Sequence, residues 1–402
     1  MSVLKKPIIT RLICELNKQK SLRSLNVINS KYSTDIHTRN NVDFFVQNHP
    51  CLEKPSVNKK KAFYILEEDV ADSIAEVVKK NIVRNNVIIE ANPGPGILTQ
   101  SLLKIVTDNL IAVESNPEFL PYLQELQDNE RDKKLSIINY DMFDMYKNRN
   151  DEKLDQENEI VDLLPKISWT EDVSASIIGI LHPRLESWFM PYIAQEFCQG
   201  SGLFMAGRLQ WFLFVSPRFY RMLISKKSKK LDTLFELLFD IKICHQVPIS
   251  NIYPKYSKMK ITKMAESVNE NVTYLIKFTP KPESSDILHP HEVNKFILFL
   301  KQLLLKSSER LIPRMEELVP GCGMYLIKDG FSMMQSLKTI TPKQCLQIFK
   351  LLPSIPEYYN SGWRDFLVNE GLVVDHDDNT ADVTDKNTDK NIPQNMSSDR
   401  PG

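Results

Sequence analysis

The fold of this 402-residue chain is decided by the stretch Glu90-Ala-Asn-Pro-Gly-Pro-Gly-Ile97. The apolar run from Val87 to Glu90 predicts a buried strand, and the pattern from Ile97 to Val106 predicts a helix. Gly94 and Gly96 lie at the turn between them, where glycine lets the backbone approach a ligand and the first helical amides can face it. The stretch therefore predicts the first strand, loop and helix of a nucleotide-type cofactor site in an α/β domain.

Two further strands each end in an acidic residue. The run from Leu110 to Val113 precedes Glu114, at the spacing where a carboxylate can accept hydrogen bonds from the hydroxyls of a ribose. The run from Leu135 to Tyr140 precedes Asp141, whose carboxylate suits an adenine amino group. One such acid is commonly only a helix cap, but three acids at the ends of successive parallel strands, counting Glu90, predict an adenosine pocket. The incomplete G-x-G-x-x-G fingerprint disfavours nicotinamide.

Strand and helix patterns continue to alternate beyond this region. Ser174 to Ile180 and Gly202 to Met205 are predicted as strands four and five, and Ile241 to Val247 and Asn271 to Phe278 as two more. Helical patterns are found at Pro117 to Leu126, Pro191 to Cys198, Ser216 to Ile224 and Leu231 to Phe239. This alternation predicts βαβ units and a mostly parallel sheet.

Composition divides the chain into parts. Residues 1–40 form a basic leader, and residues 55–282 hold the α/β domain. Within that domain, the charged insertion 147–172 is predicted to be solvated rather than packed. Residues 288–373 have helical periodicity, which predicts a small C-terminal α-helical domain. Residues 375–402, an acidic tail rich in Asp, Asn and Thr, are predicted to be disordered.

Charge and cysteine content limit the class of protein. Lysine and arginine equal aspartate and glutamate at 51 each, so the whole-chain charge does not favour nucleic acid. The leader is basic, contains serine and has Glu15 as its one acid before residue 35, which predicts a mitochondrial transit peptide; a disordered basic arm of a cytosolic protein is the alternative. No apolar run reaches the roughly 20 residues that span a bilayer. The six scattered cysteines predict reduced thiols and no metal site.

Several motifs resemble the ribosomal RNA adenine dimethyltransferase family. They are the run from Glu90 to Gln100, Val113-Glu-Ser115 and Tyr140-Asp-Met-Phe143. A further segment, Val247-Pro-Ile-Ser-Asn-Ile-Tyr-Pro254, is similar to the family's Val-Pro-Pro-Ser-x-Phe-x-Pro. The resemblance extends from about Lys61 to the C-terminal helices. The form of the glycine loop is most similar to the family's mitochondrial transcription factor B branch, and the basic leader agrees with that placement.

This resemblance implies a fold and a cofactor. The fold is a class I S-adenosylmethionine-dependent methyltransferase: α/β, Rossmann-like, with a mostly parallel sheet and the small C-terminal helical domain. The implied cofactor is S-adenosylmethionine. The positions that match the family's cofactor motifs are Glu90, Asn92, Gly94, Gly96, Glu114 and Asp141. Asn92 replaces the first glycine of the family's loop, where its side chain crowds the ligand.

One departure from the family concerns the chemistry. Adenine N6 methylases of the family carry an Asn-Leu-Pro-aromatic motif after strand four, in which the asparagine holds the amino group and the aromatic ring stacks on the flipped base. This chain reads Ile178-Gly-Ile-Leu-His-Pro183, so the degenerate positions are Gly179, Ile180, Leu181 and His182. The family's second stacking ring aligns with Ile252, next to Tyr253. Methyl transfer is therefore expected to be reduced or lost, and His182 is expected to be a loop residue rather than a general base.

Three functions remain open from the sequence. The resemblance implies a mitochondrial transcription initiation factor that assists mitochondrial RNA polymerase in melting promoter DNA in the matrix nucleoid, beside mitochondrial transcription factor A. The alternative is an active mitochondrial enzyme that dimethylates adenine N6 in small-subunit ribosomal RNA. A third possibility is a methyltransferase for another substrate that shares only the cofactor half of the fold.

Cations interleaved with aromatic rings suggest contacts to nucleic acid. Phosphates pair with Lys and Arg, and unstacked bases stack on rings. A solvated lysine loop with ordinary core rings explains the same pattern, so both interpretations stay open. The candidate nucleic-acid residues are Arg218, Arg221, Lys226, Lys227, Tyr253, Lys255, Lys306 and Arg310.

Overall fold

The computed structural model describes most of the chain. The described residues are 42–53, 62–82, 87–105, 109–130, 134–145, 151–169, 171–224, 229–255, 268–282, 287–305 and 309–373. The predictions for the leader 1–40 and the tail 375–402 lie outside these ranges.

The strands follow the predicted alternation with helices. In chain order they are β1 Tyr64–Ile65, β2 Val87–Ala91, β3 Leu110–Val113, β4 Leu135–Ile138, β5 Ala175–Ile180, β6 Leu209–Val215, β7 Phe239–Pro248, β8 Ile252–Tyr253 and β9 Val272–Pro280. Seven of them form one sheet in the order β4-β3-β2-β5-β6-β9-β7. The first five are parallel, and β9 runs antiparallel between β6 and β7. The Rossmann-like, mostly parallel sheet of a class I methyltransferase is confirmed.

Helices cover both faces of this sheet. In chain order they are α1 Val42–Asn48, α2 Pro50–Glu53, α3 Glu68–Lys79, α4 Ile97–Leu103, α5 Leu120–Asn129, α6 Asp151–Asp162, α7 Glu186–Gln199, α8 Pro217–Ile224, α9 Lys229–Leu238, α10 Pro290–Leu303, α11 Leu311–Leu318, α12 Gly323–Lys328, α13 Pro342–Leu351 and α14 Gly362–Asn369. Successive side chains of a strand point to opposite faces. Ile88 accordingly packs in one core and Ile89 in the other. No helix of the described ranges is long and apolar enough to cross a membrane.

The C-terminal helices share a core with the sheet. α10 contacts α7 and α9, and α13 contacts α9 and α10. The contact is aromatic: Phe299 lies 5.7 Å from Phe349 and 6.0 Å from Trp363 between ring centroids. The predicted helical character of this part is confirmed, and its large rings make it continuous with the methyltransferase core.

Strand five is not where the sequence predicts it. Gly202–Ala206 is a 3-10 turn, and the strand is Leu209–Val215. Gly202 and Gly207 have positive φ values of 56° and 118°, which an extended strand cannot contain. Every residue of Leu209–Val215 is buried, because this strand lies inside the sheet with a helical layer on each face.

The insertion is packed, contrary to prediction. Residues 147–172 contain helix α6, and the side chains of Glu157, Ile160, Val161 and Leu164 are all buried. These four positions recur at helical spacing, so they form one face. That face packs toward the 3-10 turn at Gly202–Ala206. Asp155, Glu159 and Asp162 of the same helix are exposed, and such charged residues are why composition alone predicts a solvated loop.

Candidate functional site

Three acidic residues meet at one edge of the sheet. Glu90 lies in β2, Glu114 directly follows β3, and Asp141 follows β4 by three residues. Because β2, β3 and β4 are parallel neighbours, their carboxyl ends open on the same side. The amide Nδ2 of Asn92 lies 3.4 Å from Oδ1 of Asp141, which links the glycine loop to the third acid. Asp141 also caps the turn after it, since Oδ1 accepts the Phe143 N–H at 3.1 Å.

Glu114 holds the glycine loop against the end of β3. Its Oε2 accepts the Gly94 N–H at 2.8 Å, and its Oε1 accepts the Asn116 N–H at 2.7 Å. The side chain is buried, and burial raises its pKa to about 7 although both backbone bonds oppose the rise. The carboxylate keeps one lone pair on each oxygen for a ligand.

Glu90 and Asn92 bring unsatisfied oxygens into the site. Among the described residues, Glu90 Oε2 and Asn92 Oδ1 are buried without a hydrogen-bond partner. Burial raises the pKa of Glu90 to about 8, a rise that the neighbouring Thr99 hydroxyl opposes and the charge of Glu114 increases. Buried polar atoms normally have hydrogen-bond partners, so the unpartnered oxygens of Glu90 and Asn92 indicate a place for a polar ligand.

The two loop glycines are required by geometry. Gly94 has a φ of +64°, and a Cβ there would lie 2.4 Å from Cδ1 of Tyr64. Gly96 has a φ of +87°, and its Cβ would lie 2.6 Å from Cδ1 of Leu126. The Tyr64 ring therefore packs directly on the backbone of the loop. Tyr64 was not among the residues predicted from the sequence, because its position is fixed by the pairing of β1 with the distant β8.

A cavity of about 280 Å³, including its opening to solvent, lies beside these residues. One side is polar and carries Glu90 and Asn92. The other side is apolar and consists of Ile178, Ile180 and Phe214. Two residues of the degenerate motif, Gly179 and Ile180, line the cavity. At these positions the motif presents hydrocarbon instead of an amide side chain.

His182 is held beside this cavity by stacking. Its ring lies parallel to that of Phe63, with centroids 5.0 Å apart and an interplanar angle of 8°. Its Nδ1 accepts the Arg184 N–H at 3.1 Å, so the imidazole also closes a tight turn. These contacts fit the expectation that His182 is a loop residue. They also cover one face of the His182 ring with Phe63.

The residues present fit S-adenosylmethionine, the cofactor that the resemblance implies. Glu114 and Asp141 are the acceptors suited to the ribose and the adenine amino group. The unpartnered oxygens of Glu90 and Asn92 suit a cationic group. The bound cofactor would supply a methyl group on a positively charged sulfur. The described residues contain no cluster of three or more His, Cys, Asp or Glu that could hold a metal ion.

Two predicted nucleic-acid residues lie next to the cavity. In the β1–β8 pair, Tyr253 is opposite Tyr64, whose neighbour Phe63 stacks on His182. The Nζ of Lys255 lies 3.7 Å from the centroid of the Tyr253 ring. One face of that ring is therefore covered by a cation, so Tyr253 is less suited to stacking than its sequence position suggests.

The other predicted nucleic-acid residues are dispersed. Arg218 and Arg221 are both on α8, but Arg221 is paired with Glu270 at 3.0 Å while Arg218 is exposed. Arg310 is exposed and precedes α11 as its N-cap. Arg314, four residues after Arg310, is buried and donates to the Gln302 carbonyl. Lys226, Lys227 and Lys306 lie outside the described residues.

Comparison with known proteins gives the relatives of the chain. The family model for ribosomal RNA adenine dimethylase matches residues 57–354. Dimethyladenosine transferase 2, mitochondrial, of Drosophila melanogaster is 26% identical over 310 residues, which cover 72% of this chain and 66% of that protein. The Homo sapiens protein of the same name is 26% identical over 292 residues, 66% of this chain and 70% of its own length. The chain thus spans about two thirds of the length of these relatives.

Two solved structures are similar in fold. The 23S rRNA methyltransferase ErmE is 13% identical with a TM-score of 0.46 and covers 71% of this chain and 98% of its own. A dimethyladenosine transferase from Plasmodium falciparum is 13% identical with a TM-score of 0.41 and covers 79% and 94%. These values carry no argument about function.

The matched family and the names of the relatives bear on two predictions. The relatives are named mitochondrial, which supports the mitochondrial location predicted from the leader. Membership of a methyltransferase family supports S-adenosylmethionine as the cofactor, in agreement with the fit of the pocket. The family model covers the glycine loop, the degenerate motif and the helices α10 to α13. The chain therefore belongs to the ribosomal RNA adenine dimethylase family.

Proposed function

We propose that this protein is a mitochondrial transcription initiation factor that assists mitochondrial RNA polymerase in melting promoter DNA, with reduced or lost methylase activity. The observation that carries the proposal is the apolar wall of the cavity. Gly179 stands where the family's motif places an amine-holding asparagine, and the next residue, Ile180, lines the cavity with an apolar side chain. His182 stands where a base would stack, and Phe63 already lies on its ring. A target amine would find no side-chain acceptor on this wall.

The same architecture supports strand capture. A fold that accepts an unstacked base beside cationic side chains can hold a single strand of melted DNA. Arg218 and Lys255 are exposed and follow strands β6 and β8, near the cavity. The proposed setting is the matrix nucleoid, and the proposed partners are the polymerase, promoter DNA and mitochondrial transcription factor A.

Run-off transcription tests this proposal. Mitochondrial RNA polymerase is incubated with a linear mitochondrial promoter with or without this protein, and specific transcripts are counted. We expect several-fold more initiation with the protein present. Equal initiation in both reactions would contradict the proposal.

An active adenine N6 dimethyltransferase of small-subunit ribosomal RNA is the second candidate. It is favoured by the intact set of acids, Glu90, Glu114 and Asp141, and by the unpartnered oxygens of Glu90 and Asn92. Transfer of a labelled methyl group to small-subunit RNA decides between the two, with Glu114→Ala as the matched control that removes a ribose acceptor. Incorporation well above this control would support an active ribosomal RNA dimethyltransferase. Transfer to a different substrate would support a methyltransferase that shares only the cofactor half of the fold.

A further inference from the structure

We propose that Trp188 is a stacking platform for one base of a single-stranded nucleic acid, with Arg184 and Arg218 contacting the flanking phosphates. This inference rests on the proposed function, because it assumes that a single strand approaches this edge of the sheet. Trp188 and Arg184 were not among the candidate residues of the sequence analysis, which began the helix at Pro191.

Trp188 is unusually exposed for its size. It lies in the first turn of α7 and is 69% exposed, while the next two residues, Phe189 and Met190, are buried. Tryptophan is highly buried on average, and the other residues of this turn show that the helix has a core face available. A large ring left in water on a rigid helix is a typical feature of a binding surface.

The helix that carries the ring follows a strand whose residues line the cavity. The chain leaves β5 at Ile180 and β6 at Val215, and these strands are parallel neighbours. Ile180 and Phe214, near the two strand ends, line the cavity. Helix α7 begins six residues after β5 ends, so Trp188 follows the carboxyl end of the strand that supplies Ile178 and Ile180 to the cavity.

A hydrogen-bonded anchor fixes this first turn. The carboxylate of Glu186 accepts the Ser216 N–H at 2.6 Å and the Ser216 Oγ hydroxyl at 2.7 Å. Both residues are buried, so the start of α7 is tied to the loop after β6. Trp188 is two residues from this anchor, and its backbone is therefore pre-organised for a ligand.

The charges beside the ring are positive. Arg184 is exposed and lies in the turn directly before the N-cap of α7, four residues before Trp188 in the chain. Arg218 is exposed and follows Ser216 by two residues. Burial raises the pKa of Glu186 to about 7, and the nearby positive charge of Arg218 opposes that rise. The Glu186–Ser216 anchor therefore brings a second cation to the same surface.

Two exposed cations on the elements that carry an exposed ring match a single strand better than a protein. Bases stack on a ring whatever their identity, and guanidinium groups pair with phosphates. Trp and Arg are also enriched at the centres of protein interfaces, so binding of the polymerase through Trp188 is the competing outcome.

The test is binding of a fluorescein-labelled single-stranded oligonucleotide, about 12 nucleotides long to fill one groove, measured by anisotropy with the full chain. Trp188→Ala is expected to weaken binding roughly ten-fold, the usual effect of removing one stacked base. Trp188→Phe keeps an aromatic ring and should recover most of the affinity. Met324→Ala removes another exposed apolar side chain, 81% exposed in α12, and should leave affinity unchanged.

The remaining measurements separate the outcomes. The double variant Arg184→Ala and Arg218→Ala should lower the dependence of affinity on salt, because two phosphate contacts are lost. Unchanged thermal midpoints show that the variants fold. If the wild-type chain binds and Trp188→Ala binds equally well, this inference fails while the proposed function stands. If the wild-type chain binds no single strand, both fail. If Trp188→Ala loses only polymerase binding, the surface is a protein interface and the inference is overturned.

Discussion

Gly94 shows how strictly the cofactor loop depends on single residues. Gly94→Ala combines a positive φ with a Cβ placed 2.4 Å from the Tyr64 ring, so we expect a loss of about 2–4 kcal/mol in the free energy of unfolding. Gly371→Ala is the matched control, because its φ is +68° and no atom lies within 4 Å of the added Cβ. Urea denaturation of both variants measures the difference. Equal losses would show that Tyr64 does not restrict the loop.

The acids of the pocket should make stability depend on pH. The pKa of Glu90 is raised to about 8 from a value near 4.5 in the unfolded chain. The stabilisation that comes from its protonated side chain is therefore fully present below pH 4.5 and is lost as the pH rises through 8. The pKa values of Glu114 and Glu186 are raised to about 7. Most of the change in stability between pH 7 and 8 therefore comes from Glu90. We expect stability to fall across that interval by up to about 1.4 kcal/mol.

Glu90→Gln tests this expectation, because an amide does not titrate. Chemical denaturation at pH 7 and pH 8 should show a flatter response for Glu90→Gln than for the wild-type chain. Glu159→Gln, an exposed site on α6, is the control and should behave like wild type. A wild-type chain that gains stability between these two pH values would contradict the account.

The sequence indicates which acids lie together at the edge of the sheet but not which aromatic rings surround them. Glu90, Glu114 and Asp141 were predictable because the ends of parallel strands coincide in space whatever the loops between them do. Tyr64 and Phe63 were not, because β1 has two residues and is fixed by its pairing with β8, far away in the chain. Local periodicity carries no information about such a contact.

At the scale of elements, helix α6 provides a sharp test of packing. Leu164 is 5% exposed and belongs to the core beside the sheet, whereas the adjacent Leu163 is 41% exposed. Leu164→Ala should lower the free energy of unfolding by about 2–4 kcal/mol, since it leaves a cavity, and Leu163→Ala by less than about 1 kcal/mol. Denaturant unfolding of the two variants compares the loss in the free energy of unfolding for the same Leu→Ala change at a buried and at an exposed site. Similar small losses would mean that this segment is solvated, as its composition predicts.

The two errors at this scale have different causes. Leu209–Val215 is buried on both faces, so it lacks the alternation that marks a strand, and the short apolar run after Gly202 was chosen instead. The buried positions Glu157 and Ile160 of α6, with Leu164 just beyond its end, recur at helical spacing, but the neighbouring charged residues obscure this period in the sequence. The helix at Pro342–Leu351 was predictable from its helical periodicity, and the structure adds a capping box between Thr341 and Gln344.

At the scale of the whole molecule, the C-terminal helices and the sheet form a continuous structure. The hydrophobic core that contains the strands also contains Phe299, Phe349 and Trp363. The C-terminal helices are therefore packed as part of the same structure as the sheet. The polar side of the cavity retains the acids of a methyltransferase, and its apolar side lacks an acceptor for an amine. The central claim is that such a molecule opens promoter DNA rather than modifying RNA.

The most direct test compares initiation on duplex and pre-melted templates. Mitochondrial RNA polymerase transcribes the same promoter either fully paired or with mismatched bases around the start site, with and without this protein. The account predicts strong stimulation on the duplex and little on the pre-melted template, because melting is then already complete. Equal stimulation on both templates, or none on the duplex, would contradict it.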